Sequence, residues 1–125
     1  MHSNAALCTG DGSASVGAVV SQRTLALSRV PGTPAIRIFT PTVAKDGWSC
    51  EHTVVEIVAD DQPFIVDSVS AALNEAGRTL NLVIHPIVET DQGAQSWVHI
   101  EIDRESEADV VAALESMIKA VLADV

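Results

Sequence analysis

Alternating hydrophobic and polar residues predict the strands of this chain. Residues 35–40, 53–59 and 95–103 place apolar side chains at every second position, which is the period of a strand with one buried face. Residues 79–88 are mostly apolar and predict a further strand. The sequence Thr90-Asp91-Gln92-Gly93 then predicts a hairpin turn.

The strand at 95–103 has two faces of different chemistry. One face is apolar and carries Val98, Ile100 and Ile102. The opposite face carries Trp97, His99, Glu101 and Asp103. The apolar face is expected to join the core, and the polar face to be exposed or to meet another domain.

Three segments have helical periodicity. Residues 15–30 predict a first helix, which Pro31-Gly32 would end. A second helix is predicted from Gln62 or Pro63 to Ala76, because Asp61 can cap its start and Gly77 suits its end. A third helix is predicted after Ser106 and carries an apolar stripe made of Val110, Leu114, Met117, Ile118 and Val121.

The order of these elements indicates an α+β fold. The β-α-β-β-α part matches a ferredoxin-like sandwich, in which two helices cover one face of an antiparallel sheet, here with an additional N-terminal helix. The usual final strand is missing. Either the strand at 35–40 occupies a sheet edge in its place, or the chain is cut from a longer protein.

Length and composition restrict the domain organisation. The chain has 125 residues, which suffice for one domain with a real core. Residues 1–14 are small and polar and are interpreted as a flexible leader, in which Met1–Ala5 resembles the remnant of a removed tag. Residues 15–125 are interpreted as a single domain.

Charge and hydropathy exclude several classes of partner. The formal net charge is −10 and the seven basic residues are scattered, whereas binding to nucleic acid or an anionic membrane needs clustered Lys and Arg. No apolar run approaches the ~20 residues of a spanning helix, and no signal peptide is visible. We therefore expect a cytoplasmic protein whose two cysteines, Cys8 and Cys50, are free thiols.

The junction between the strand at 53–59 and the second helix is the first candidate for binding. A small ligand's carboxylate could lie on the amide groups at the helix start, while an Asp receives its ammonium group. In the simpler interpretation, Asp61 caps the helix and Asp60 is solvated. The residues concerned are Asp60, Asp61, Gln62, Pro63 and Phe64, together with Asp67 in the first turns of the helix.

Two further groups of residues could in principle bind a metal or act as a nucleophile, but neither group has a supporting sequence motif. Metal-binding side chains lie on strands that should be neighbours, namely Glu56, His85, His99 and Glu101, but no close ligand pair accompanies them. Cys50 and His52 would share one face of a strand, yet no orienting third group is visible. The sequence therefore predicts neither a metal site nor catalytic residues. An interface through Trp97, His99 and Glu101 is the preferred role for the polar face.

Several blocks of the sequence, in order, carry a resemblance to one family. They are RVPGT (29–33), IRIFTP (36–41), GWS (47–49), HTVVEIV (52–58), DDQPFIVDSV (60–69), LVIHP (82–86) and SWVHIEIDR (96–104). Residues 15–125 are similar to the N-terminal region of the very large bacterial NAD-specific glutamate dehydrogenases.

The resemblance implies an ACT-like domain. Such modules often bind amino acids and regulate an attached enzyme, and the corner at 60–64 usually contributes to their ligand site. At Phe64 the chain departs from the many binding corners that carry glycine there, and a bulky side chain is expected to narrow the pocket.

The resemblance also implies that catalysis takes place in other parts of the parent chain. The parent enzyme would use NAD to deaminate glutamate, with catalytic and nucleotide-binding segments far downstream, so no cofactor is expected here. The implied partners are the rest of the parent chain, further copies in a homo-oligomer and a small amino-acid effector. The alternative is a purely structural domain for association between subunits or domains, without a ligand.

Overall fold

The computed structural model of the chain describes residues 12–124, with side chains from residue 16 onward. The helices are α1 (Gly12–Ser28), α2 (Val43–Asp46), α3 (Ile65–Glu75) and α4 (Ala108–Asp124). The strands are β1 (Ala35–Phe39), β2 (Thr53–Asp60), β3 (Leu80–Ile84), β4 (Ile87–Thr90) and β5 (Gly93–Ile102). Of the predicted leader, residues 1–11 lie outside the described part, and α1 already begins at Gly12.

The strands form one antiparallel sheet in the order β1-β2-β5-β3, and β4 also pairs with β5. This is the predicted α+β, ferredoxin-like arrangement. β1 pairs with β2 and so occupies the edge that the missing final strand would otherwise fill. Of the two explanations left open for the missing strand, the structure shows the edge position of the strand predicted at 35–40.

The main core lies between the sheet and the helices α3 and α4. Alternate residues of the two central strands point into it, including Val55 and Ile57 from β2 and Ile100 from β5, and all three are fully buried. Leu73 of α3 and Ile118 of α4 pack against them. The period-two pattern of the sequence correctly assigned this face of the sheet to the core.

Two local features differ from the prediction. The apolar run at 79–88 is two strands, because the chain leaves the first strand at His85-Pro86 and the carbonyl of Pro86 accepts a bond from the Trp97 amide. Proline lacks the amide that a continuous ladder needs. The segment 42–51, predicted as a loop, contains α2, which Thr42 caps through its side chain.

The opposite face of the sheet is covered by α1. Ala18 of α1 is buried together with Trp48 and Val54. Gly17 allows the close approach, because a Cβ at this position would lie 2.4 Å from Cγ of Trp48. Within residues 12–124, no helix combines the length and the apolar character that crossing a membrane requires.

Candidate functional site

The corner between β2 and α3 is built differently from the prediction. Asp61 does not cap α3, because its carboxylate accepts a bond from the Ser96 hydroxyl at 3.0 Å and its amide donates to the carbonyl of Ala94. The corner is thereby fastened to β5. The N-cap position of α3 is Phe64, which provides no side-chain hydrogen bond to the helix start.

Phe64 has an unusual backbone conformation. Its φ is +70°, in the left-handed region that glycine and asparagine tolerate best, and its side chain is 70% exposed. An aromatic residue in this conformation stores strain without burying its ring. Glycine would adopt the same left-handed conformation without this strain.

A groove beside the corner contains a buried cation. The Arg29 side chain is only 3% exposed; its guanidinium lies 2.9 Å from the Asp60 carboxylate, and its Nε donates to the carbonyl of Thr33 at 2.8 Å. Asp60 itself is 61% exposed on its side chain, so it can turn toward solvent. The groove has a volume of about 470 Å³, and Lys119 of α4 lies on its wall.

The predicted binding residues are distributed over three adjacent grooves. Asp60 and Gln62 line the groove that contains Arg29. Pro63 and Phe64 line a second groove with the end of α4. A third groove beside His85 is lined by every predicted binding residue except Asp60. The structure therefore brings five of the six residues to one groove, and Asp60 lies in the neighbouring groove with Arg29.

Sequence reasoning missed the two basic residues of the first groove. Arg29 begins the block RVPGT, and a basic residue two positions before a Pro-Gly turn in a strongly acidic chain was the available signal. Lys119 had no such signal, since it occupies an exposed position of α4 and pairs with Glu115 one turn earlier at 3.3 Å.

The polar face of the sheet is buried, so the prediction of an exposed face is wrong here. Glu56, His99 and Glu101 are almost inaccessible. Gln22 of α1 donates from its amide to the carbonyls of Ile57 and Val98, each at 3.1 Å. Strand periodicity showed that these residues share a face, but it could not show that a helix covers that face.

Trp97 lies at the rim of the covered face. It is half-buried, and its indole nitrogen donates to the Gln95 side chain at 3.1 Å. With His99, Ile84 and Pro86 it lines a mainly apolar groove of about 290 Å³ against α1. Of the three predicted interface residues, Trp97 alone is partly accessible.

Glu56 is the least satisfied polar group of this layer. Neither of its carboxylate oxygens has a well-aligned hydrogen-bond partner among the described residues. Burial is the main influence and raises the pKa of the Glu56 carboxyl, although Ser21, Arg37 and His99 oppose the rise. The carboxyl faces His99 directly across β2 and β5.

A second, partly buried cluster brings together residues that lie far apart in the sequence. Cys50 and His52 precede β2, and Glu101 lies near the end of β5; one ligand atom from each lies within 4.8 Å of the others. His99 Nε2 is 2.9 Å from the second oxygen of Glu101. Cys50 is disulfide-bonded, so the expectation of a free thiol is wrong for this residue.

Comparison with known proteins identifies the family. The family model "Glutamate dehydrogenase, ACT1 domain" matches residues 3–94. The "NAD-specific glutamate dehydrogenase" of Pseudomonas aeruginosa is 31% identical to this chain, in an alignment that covers 74% of the chain and 7% of that protein. The protein of the same name from Halomonas elongata is 28% identical, with 76% of this chain and 7% of the relative covered.

The chain thus spans only a small part of the length of these relatives. The match to the family model includes α1, β1, α2, β2, α3, β3 and β4, and it contains the corner residues Asp60 to Phe64 as well as Arg29. The α+β sheet with two helices on one face agrees with this assignment. The chain belongs to the family of ACT1 domains of glutamate dehydrogenases.

Proposed function

We propose that this domain binds a small amino acid in the groove between Arg29 and Asp60 and thereby regulates the enzyme of which it is part. The observation that carries the proposal is the nearly inaccessible Arg29 guanidinium, held against an exposed aspartate at the mouth of a cavity. A buried cation beside an exposed anion matches the two charges of a zwitterion.

The groove offers a place for each part of such a ligand. The carboxylate would pair with Arg29, and Lys119 on the wall of the groove would add a second positive charge. The ammonium group would pair with Asp60. Ile36, Ala59 and Leu122 provide an apolar surface for the side chain, and about 470 Å³ is within the usual range of ligand pockets.

The parent protein is proposed to be a cytoplasmic, oligomeric NAD-dependent glutamate dehydrogenase. Both named relatives are NAD-specific glutamate dehydrogenases, and the present chain aligns with about 7% of each. Oxidation of glutamate to 2-oxoglutarate, with NAD as acceptor, would take place in other parts of the parent. The ACT1 domain would contribute regulation and no catalytic residues.

A thermal melting experiment with a panel of amino acids tests the binding. We expect at least one amino acid to raise the melting temperature of the 125-residue chain in a saturable manner, because a ligand that binds only the folded state stabilises it. The Lys119→Gln variant should need several-fold more of that ligand. The Arg29→Gln variant should lose the response.

Matched controls separate binding from general effects of charge. Arg104 is exposed and lies outside the groove, so Arg104→Gln should respond like the wild type. If no amino acid raises the melting temperature, or if Arg29→Gln responds as fully as Arg104→Gln, the proposed binding site is wrong.

The alternative function is association, and a specific surface favours it. Arg23 is the only charged residue in α1, and large apolar side chains cover its outer side. These exposed residues are Val16, Val19, Val20 and Leu27, followed by Val30 just beyond the helix. A helix that is apolar on all sides is normally buried, so this face would dock on another part of the much longer parent chain.

A further inference from the structure

The cluster at the start of β2 has the composition of a transition-metal site. Cys50 offers a sulfur, His52 a ring nitrogen and Glu101 a carboxylate oxygen, all within 4.8 Å of one another. Thiolate, imidazole and carboxylate together are typical ligands of zinc. Glu101 is fully buried, while Cys50 and His52 are partly accessible, so an ion could enter from their side.

One atom of the cluster lacks a hydrogen bond. Nδ1 of His52 is buried and has no hydrogen-bond partner among the described residues, and it lies 3.6 Å from the nearer oxygen of Glu101. Two ligand atoms at ordinary zinc distances in a tetrahedral site are about 3.4 Å apart. The separation between His52 and Glu101 is thus close to what a shared ion requires.

A neighbouring residue orients the carboxylate. His99 Nε2 holds the other oxygen of Glu101 at 2.9 Å, which leaves the first oxygen directed toward His52. Residues that hydrogen-bond to metal ligands commonly fix their orientation in this way. The side chains around the candidate site are therefore already positioned without any ion.

The oxidation state of Cys50 controls whether the third ligand is available. Its sulfur is part of a disulfide, and a disulfide sulfur is not a thiolate ligand. Cys8 is the only other cysteine of the chain and lies outside the described residues. Reduction by two equivalents of a thiol would deliver two electrons and two protons, break the S–S bond and leave two cysteine thiols and one new disulfide of the reductant.

We propose that reduction converts this cluster into a site for a zinc-like divalent cation, bound by the Cys50 thiolate, His52 Nδ1 and the Glu101 carboxylate. Binding would release the thiol proton to solvent, and water would complete a four-coordinate site. The disulfide and the metal are thus alternative states of the same residue. This inference does not depend on amino-acid binding in the Arg29 groove.

Zinc titration of the 125-residue chain, in competition with a chromophoric chelator, tests the proposal. Protein reduced with a phosphine, which is itself oxidised to the phosphine oxide with oxygen from water, should bind about one equivalent of zinc. The oxidised protein should bind it at least about 100-fold more weakly. Cobalt should give a thiolate-to-metal charge-transfer band with the reduced protein only.

Five variants distinguish this site from adventitious binding. Cys8→Ser, which removes the only other cysteine of the sequence, should bind zinc without any reductant. Cys50→Ser and His52→Gln should each lose binding, and His99→Gln should weaken it about tenfold through the orientation of Glu101. His85→Gln, at an exposed histidine, should bind like the wild type.

Two results would overturn the inference. Equal zinc affinity in the reduced wild type and in Cys50→Ser would exclude the thiolate as a ligand. Equal affinity in reduced and oxidised wild type would exclude control by the disulfide. Circular dichroism and melting curves of each variant, recorded without zinc, identify any variant that fails to fold. If a ligand variant does not fold, the cobalt charge-transfer band of the reduced wild type and of Cys8→Ser decides whether the Cys50 thiolate binds the metal.

Discussion

Phe64 has a backbone conformation that is unfavourable for its residue type. Its φ of +70° suits asparagine or glycine, and its exposed ring gains little from burial within this chain. A left-handed conformation costs an ordinary residue roughly 1–2 kcal/mol, so this position is under strain. Strain that is maintained at a corner beside two grooves is consistent with a role for the ring in contacts outside this domain.

We predict that Phe64→Asn is more stable than Phe64→Ala by about 1 kcal/mol. Both substitutions remove the ring, but only asparagine tolerates the left-handed backbone well, so their difference isolates the conformational strain. Urea denaturation of the two variants measures it. Identical free energies of unfolding would show that the backbone relaxes and that no strain is stored.

Glu56 should make stability depend on pH. Since burial raises the pKa of its carboxyl above the ordinary value of 4.5, the folded state holds this proton more tightly than the unfolded state does. The contribution of the Glu56 carboxyl to the free energy of unfolding is therefore fully present below its ordinary pKa. This contribution is lost as the pH rises through the raised pKa of the folded state. At neutral pH, above the ordinary value, the raised pKa makes this buried carboxyl a net destabilising group.

We predict that Glu56→Gln flattens this part of the pH profile and stabilises the chain at neutral pH by an amount on the order of 1 kcal/mol. The measurement is urea denaturation at a series of pH values between mildly acidic and neutral. Glu51→Gln removes the same charge at an exposed position and serves as the control. A profile of Glu56→Gln that parallels the wild type would contradict the assignment.

The sequence indicated where in the fold the candidate site lies, but it did not indicate all of the residues that form the site. Asp60 does border a groove, because a strand end followed by a helix start reliably leaves a corner. Arg29 could not be included, since its position beside Asp60 depends on how the chain turns from α1 into β1. For the same reason, the meeting of Cys50 with Glu101 depends on the pairing of β2 with β5.

Among the elements, α1 determines the character of the second sheet face. Its amphipathic pattern is weak, because apolar residues occur on all its sides, and so the sequence did not indicate which surface it would cover. Most other elements were predictable from their period. The break at His85-Pro86 and the single-turn helix α2 were not, since both depend on a few local bonds and no repeating pattern.

The contact between Gly17 and Trp48 gives a test of the packing of α1. Alanine normally favours a helix over glycine by about 1 kcal/mol, yet a Cβ at Gly17 would lie 2.4 Å from the indole ring. We predict that Gly17→Ala lowers the stability by about 1–2 kcal/mol net, because overpacking outweighs helix propensity. Thermal or urea denaturation measures the loss.

Thr24→Ala on the exposed side of α1 is the matched control and should be neutral or slightly stabilising. If Gly17→Ala were as stable as Thr24→Ala, α1 would not be packed tightly against Trp48.

For the molecule as a whole, the outer face of α1 is the surface that a binding partner would cover. Val20 and Leu27 lie two helical turns apart on one side and are both exposed, Leu27 by 77%. We predict that Val20→Glu/Leu27→Glu strongly reduces the fluorescence of an apolar dye bound to the chain. Sedimentation over a range of concentrations then shows whether a second copy covers the wild-type face.

Ala113→Glu/Ala120→Glu places the same charges on exposed positions of α4 and should leave dye binding unchanged. Dye binding without self-association would favour docking on another part of the parent chain. Equal dye fluorescence in wild type and the α1 variant would mean that this face offers no docking surface.

The position of β5 has a consequence for synthesis on the ribosome. β5 pairs with β2, β3 and β4, yet it is the last of the five strands to be made. Until Ile102 has left the exit tunnel, the Val- and Ile-rich β2 can pair only with β1, and its other edge stays open. From the synthesis of β2 until β5 has emerged, the nascent domain therefore carries an unpaired, aggregation-prone strand edge, and the sheet can be completed only after β5 is made.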